Sequence, residues 1–240
     1  MWEFYFLKLM NTLPFFLKGV WVTISVSGLS LIAGTIIGFC FGIIRSGKRG
    51  FFHILIGLWV DLIRGTPFLI QIFIIFFILP EAGINLDAFP AAVIALSNMS
   101  ACFICEIVSG GLKAVPEGQK EAAAASGFTK FQQLRYINLP QAMRTILPPL
   151  VGQYVLLIKD SSIVSAIGLV DITRVGWLTV QRVPEGLMVF GLVGILYFII
   201  CYPLILLSGY LEKRMGNLTP AKKNSAKSMG QKNNLLVEER

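Results

Sequence analysis

Five apolar stretches, each long enough to cross a bilayer as a helix, constrain this chain more than anything else in it. They cover about residues 20–44, 54–79, 89–112, 145–169 and 187–211. A hydrocarbon core about 30 Å thick takes about 20 apolar residues at a rise of about 1.5 Å each. Backbone polar groups in lipid must be satisfied within the segment that carries them, so the pattern predicts an all-α membrane bundle of five spans. Only 14% of the 240 residues are charged, too few for a soluble surface, where about 25% is usual. The first stretch is too long for a signal peptide and no small-residue cleavage pattern follows it, so it reads as a retained span.

Basic residues assign the sides. Fifteen Lys/Arg fall in one set of connections: Arg45, Lys48 and Arg49, then five between Lys113 and Arg144, then seven from Lys213 to Arg240. Four, Lys8, Lys18, Arg174 and Arg182, fall in the other set. The positive-inside bias therefore predicts an N-terminus outside and a C-terminus in the cytosol. It also accounts for the net charge of +8 without a nucleic-acid partner; membrane lipid is the expected surroundings. The expected regions are an extracytoplasmic segment 1–19, a transmembrane domain 20–216 and a basic, disordered tail 217–240.

Enzyme chemistry finds no purchase. Residues 42–49, "GIIRSGKR", nearly spell a phosphate-binding loop, but Arg49 stands where a hydroxyl would hold magnesium and a membrane span precedes it instead of a buried strand. His53 is the lone histidine, and no loop pairs acids for general acid–base work. Cys40, Cys102, Cys105 and Cys201 all lie in apolar runs, as small core residues do. Cys102 and Cys105 form a CxxC without a second pair or a histidine pair, so no metal or other cofactor is expected. A membrane-embedded redox or structural subunit stays open as an alternative.

The longest connection on the basic side, 113–144, contains "EAAAASGFTKF". Pro116 suits a first helical turn, Glu117 and Glu121 suit the positive end of a helix, and Gly127 offers a left-handed cap. Thr129 then caps a second helix in which Phe131, Leu134 and Ile137 recur at about one-turn spacing before Pro140 breaks it. Such a helix, turn and helix is either a connector packed under the bundle or a knob whose alanines let another surface approach closely.

Charges inside spans cost roughly 3 kcal/mol each on insertion scales and mark functional candidates. Here they are Arg64, Glu106, Lys159 and Asp160, with Asn98 as a further polar group. Asn98 and Glu106 are eight residues apart, within about 80° of each other around a helix. Gly65, Thr66 and Pro67 predict a kink whose freed backbone groups need partners. Two readings stand together: these groups face a solute, or they pair to pin helices.

The run "GQKEAAAASGF" with "LPQAMRTILPPL", together with "RGTPFLIQ", "GGLKAVPEGQ" and "LLIKDSSIVSAIG", resembles the permease subunits of bacterial ABC importers, in the branch that takes up polar amino acids. The likeness covers about residues 19–214. It implies a type I importer permease, and a docking role toward a separate cytosolic ABC ATPase for Glu121, Ala122, Ala123 and Gly127. It further implies a second permease copy or paralogue, an extracytoplasmic solute-binding protein and an amino-acid substrate moved by alternating access. An amino acid carries an ammonium and a carboxylate. Asn98, Glu106 and Asp160 would then offer acceptors, Arg64 and Lys159 would balance them or meet the carboxylate, and Thr66 and Ser161 would complete the pathway. Two departures bear on the solute: Ser109 stands where the family commonly has arginine, and Ala101, Cys102 and Phe103 alter the pair ahead of Glu106. Importers of other solutes also carry such loops.

Overall fold

The computed structural model describes residues 9–47, 49–182 and 185–216; the expected tail 217–240 and Lys48 lie outside them. Among the described residues every regular element is helical. Four helices are long and apolar enough to cross a membrane, and a bent pair makes a fifth crossing if taken as one.

Helix α1, Leu13–Ser46, starts earlier than its apolar run, with Pro14 in the first turn, where a missing N–H costs nothing. Helix α4, Ala88–Lys113, is the centre of the bundle, packed against α1 and most of the other elements. The reason is a stripe of small residues on α1: Thr23, Ser27, Ser30, Gly34, Gly38 and Gly42 are all buried. A Cβ at Gly38 would stand 2.6 Å from the Ala101 carbonyl oxygen, and one at Gly42 2.6 Å from Val108 Cβ. Helices in lipid gain little from burying apolar groups, so close backbone approach and dispersion hold them together. Ser30 adds a bond from its hydroxyl to the Val93 carbonyl, 3.3 Å.

The expected kink is a full break. Helix α2, Phe51–Gly65, and helix α3, Phe68–Phe73 with its continuation to Ala82, meet at 104°. Thr66 and Pro67 between them are extended, as Pro67 requires of the residue before it.

Helix α5, Glu117–Ala125, ends as expected. Gly127 takes φ +78°, and the Phe128 N–H reaches back to the Ala123 carbonyl at 3.1 Å. Thr129 opens α6, Lys130–Gln132, with a reciprocal capping box: its hydroxyl accepts from the Gln132 N–H at 3.3 Å, and its own N–H donates to Gln132 Oε1 at 2.8 Å. Thr129→Ala is expected to cost about 1 kcal/mol, visible as faster amide exchange across α6.

The expected break at Pro140 does not occur. Helix continues from Lys130 to Ile167 because Gln133–Asn138 form a widened turn, with the Leu139 N–H bonding to the Leu134 carbonyl five residues back. The widened register takes up the missing N–H and the ring of Pro140, which begins the regular helix α7, Leu139–Asp160. The fourth span thus grows directly out of the loop. Ser161–Ile167 close it as a tighter turn ending at Gly168, φ +88°. Helix α8, Ile172–Val180, is capped by Asp171, whose Oδ1 accepts from the Arg174 N–H at 2.8 Å. Helix α9, Gly186–Gly216, packs on α7 and α8 and exposes Phe198, Ile199 and Leu206.

Candidate transport site

The close approach of α1 to α4 brings the last turn of α1 beside Glu106. Arg45 Nη1 pairs with Glu106 Oε1, and Arg64 Nη1 lies 3.4 Å from Glu106 Oε2. Arg64 also covers the Phe103 ring, 5.4 Å from its centroid. One carboxylate between two guanidiniums leaves the cluster with an excess positive charge. Arg64 is the more exposed of the two, 42% against 17% for Arg45, so it is the guanidinium free to meet a further anion. Eight residues up the same helix, Asn98 Oδ1 accepts from the Trp59 Nε1–H at 3.1 Å. Asn98 and Glu106 therefore share the face of α4 that looks toward α2.

Lys159, Asp160 and Ser161 form a separate group at the end of α7. Lys159 is exposed and Asp160 half-buried. Among the described residues neither has a salt bridge. Ser161 is buried and donates to the Ile158 carbonyl at 2.7 Å. The structural pairing anticipated for the intramembrane charges forms at Arg64–Glu106, not at Lys159 or Asp160. Arg45, taken from the sequence as a basic anchor, is the partner that sequence reasoning missed, since 61 positions separate it from Glu106. Ser109, where the resemblance expects arginine, is buried; the positive partners of Glu106 are Arg45 on α1 and Arg64 on α2.

Gln71 was missed as well. Thr66 donates its hydroxyl to the Leu62 carbonyl at 3.0 Å, and Gln71 Nε2 donates to the Ile63 carbonyl at 2.7 Å and the Thr66 carbonyl at 3.1 Å. A glutamine one turn after a proline inside an apolar run was the signal for it. The cysteines are free, with Cys102 and Cys105 buried against Ile56 and Val60. No metal-binding group occurs among the described residues.

The 113–144 loop projects from the basic end. Glu121, Ala122 and Gly127 are exposed, as are Phe128, Phe131 and Tyr136. Ala123 instead turns inward, 5% exposed, on a helix that packs against the widened turn. A cavity of about 590 Å³, lined in part by Ile43, Leu112, Lys120 and Lys130, separates the loop from the ends of α1 and α4. The loop exposes an outer face while Val115 and Leu134 pack with Ile104, Val108 and Ile146 on its inner one.

Residues 30–217 match the model of the binding-protein-dependent transport system inner membrane component. The chain belongs to this family. It is 33% identical over 205 residues to the glutamine transport system permease protein GlnP of Escherichia coli (strain K12), covering 85% of this chain and 94% of that one. It is 34% identical over 203 residues to the L-cystine transport system permease protein TcyB of Bacillus subtilis (strain 168), covering 84% and 87%. Its fold is similar to that of a crystallised amino acid ABC transporter, with a TM-score of 0.80 and 30% identity over 87% of this chain and 98% of that one. The chain is thus a multi-pass transport subunit with the type I importer permease fold.

Proposed function

We propose that this permease moves a polar amino acid inward by alternating access, receiving it from an extracytoplasmic binding protein and drawing energy from a separate cytosolic ATPase docked on the 113–144 loop. The observation that carries the reading is the pair of oppositely suited groups at membrane depth. Arg64, already sharing Glu106 with Arg45, supports a carboxylate; the unpaired Asp160 supports an ammonium. Glu106 is held by two arginines, so its part is to fix Arg64 more than to receive the ammonium. Asn98 and Thr66 act as positioning groups, Lys159 tunes Asp160, and Ser161 shapes the corner. The N-terminus outside and the C-terminus in the cytosol follow from the distribution of basic residues, and the permease works as a dimer with a second copy of itself or with a paralogue. Glutamine and cystine, named for the two relatives, are the first solutes to try.

Purified permease, ATPase and binding protein, reconstituted in vesicles, should take up labelled glutamine or cystine only with ATP; uptake of neither, with a sugar or oxyanion moved instead, would replace the substrate class. Docking has its own test. Ala122→Trp, on an exposed position, should lower ATPase association and uptake about tenfold or more while leaving the melting temperature unchanged, because an interface closed by small residues cannot admit an indole. Ala123→Trp should instead lower the melting temperature, since Ala123 faces the bundle.

A further inference from the structure

We propose that Gln71 is a positioning residue: its amide clasps the break between α2 and α3 and thereby sets where the Arg64 guanidinium stands relative to Asp160. This rests on the pathway reading above and names the residue that holds its two ends apart.

The need for the clasp follows from the chain. In a continuous helix the Ile63 carbonyl would accept from the N–H of residue 67, and residue 67 is a proline, which has none. At membrane depth an unmet carbonyl is too costly to leave. Gln71 Nε2 takes the place of that N–H at 2.7 Å, closer than the Thr66 hydroxyl, which lies 3.3 Å from the same carbonyl, and the same amide reaches the Thr66 carbonyl at 3.1 Å and the Thr66 hydroxyl oxygen at 3.0 Å. Both Gln71 hydrogens are thus committed to three acceptor atoms on the two residues, Ile63 and Thr66, that flank Arg64 and Gly65, and the side chain is buried, 7% exposed.

The far side of the clasp is equally fixed. The next residue, Ile72, is fully buried in the core cluster that also holds Leu157, Val164 and Ile167, and α3 packs against the turn Ser161–Ile167. Leu157 precedes Asp160 by three positions, and Val164 and Ile167 belong to the turn that follows it. Helix α3 therefore grips the turn bearing Arg64 through Gln71 and the corner bearing Asp160 through Ile72. Two neighbouring residues set the separation of a cation and an acid that would read the two ends of one amino acid. Without the clasp, the Arg64 turn would keep its contacts with Glu106 and Phe103 on α4 but lose its fixed link across the extended Thr66–Pro67 pair to α3.

Equilibrium binding of labelled glutamine and cystine to the assembled permease–ATPase complex in nanodiscs tests this. Gln71→Leu, which keeps a side chain of similar size but replaces the amide by apolar carbon, should raise Kd about tenfold, the scale of one hydrogen bond to a charged group. The same change in an Arg64→Gln background should move Kd by less than about twofold, because the two sites then no longer act through each other. An equal factor in both backgrounds, or no change in the first, would overturn the proposal. Should Gln71→Leu not assemble, Thr66→Val decides: it removes one of the three acceptors and should shift Kd in the same direction by about threefold, with an unshifted Kd counting against the clasp. Uptake by the wild type separates the two readings. A wild type that takes up neither solute defeats the substrate assignment, whereas normal uptake with unaltered Kd in the variants defeats the clasp alone.

Discussion

Replacing Gly38 by leucine is expected to leave little folded permease in the membrane. A Cβ there meets the Ala101 carbonyl oxygen at 2.6 Å and Ile104 Cβ at 2.8 Å, and backbone cannot yield as a flexible side-chain end can. Forcing α1 away from α4 also spoils the contacts at Gly34, whose Cβ would stand 2.9 Å from Ser100, and at Gly42. Overpacking of this kind costs about 3 kcal/mol even where the backbone can shift a little, a large part of the usual stability of a domain. The check is the amount of monodisperse protein extracted from membranes and its melting temperature. Gly28→Ala is the control on the same helix: nothing lies within 4 Å of a Cβ there, so extraction and melting should match the wild type. Normal yield for Gly38→Leu would mean that the two helices do not pack through this stripe.

Glu106→Gln carries the second largest effect. It leaves Arg45 and Arg64 facing one another across a neutral amide, having lost the charge that both approach. Breaking one partner of a buried pair costs about 3–5 kcal/mol, and the partial exposure of Glu106 lowers this to about 2 kcal/mol. Arg64 would leave its place over Phe103, and uptake should fall about a hundredfold. The double variant Arg45→Gln with Glu106→Gln restores charge balance on the α1 side, so it should recover melting temperature but not uptake. Recovery of uptake as well would show that Glu106 only pins helices; full uptake in Glu106→Gln alone would remove the cluster from the mechanism.

The sequence carried the class of fold at once, because hydrocarbon admits few solutions for a backbone. A run of about 20 apolar residues must satisfy its own carbonyls, and that requirement is local. The turn at Gly127 and the cap at Thr129 were legible for the same reason: their partners lie within five positions. Even Gln71 was legible in principle, since a proline at 67 announces an unmet carbonyl at 63. Pro140 misled because a proline signals only the absence of a donor. Whether the chain breaks or widens its turn depends on what waits on either side, and here α5 packs against the widened turn and supports it.

Sequence alone determined that this chain has spans apolar enough for a membrane, that a helix, turn and helix sit in the 113–144 connection, and that a few polar groups lie within the apolar spans. Tertiary structure decided how those groups are partnered. Arg45 meets Glu106 because glycines on α1 let two backbones nearly touch, and Ala123 turns inward while Ala122 faces out because of where α5 rests. Contacts between residues far apart in the chain depend on how closely helices approach and at what angle they cross, and no short stretch of sequence contains either quantity.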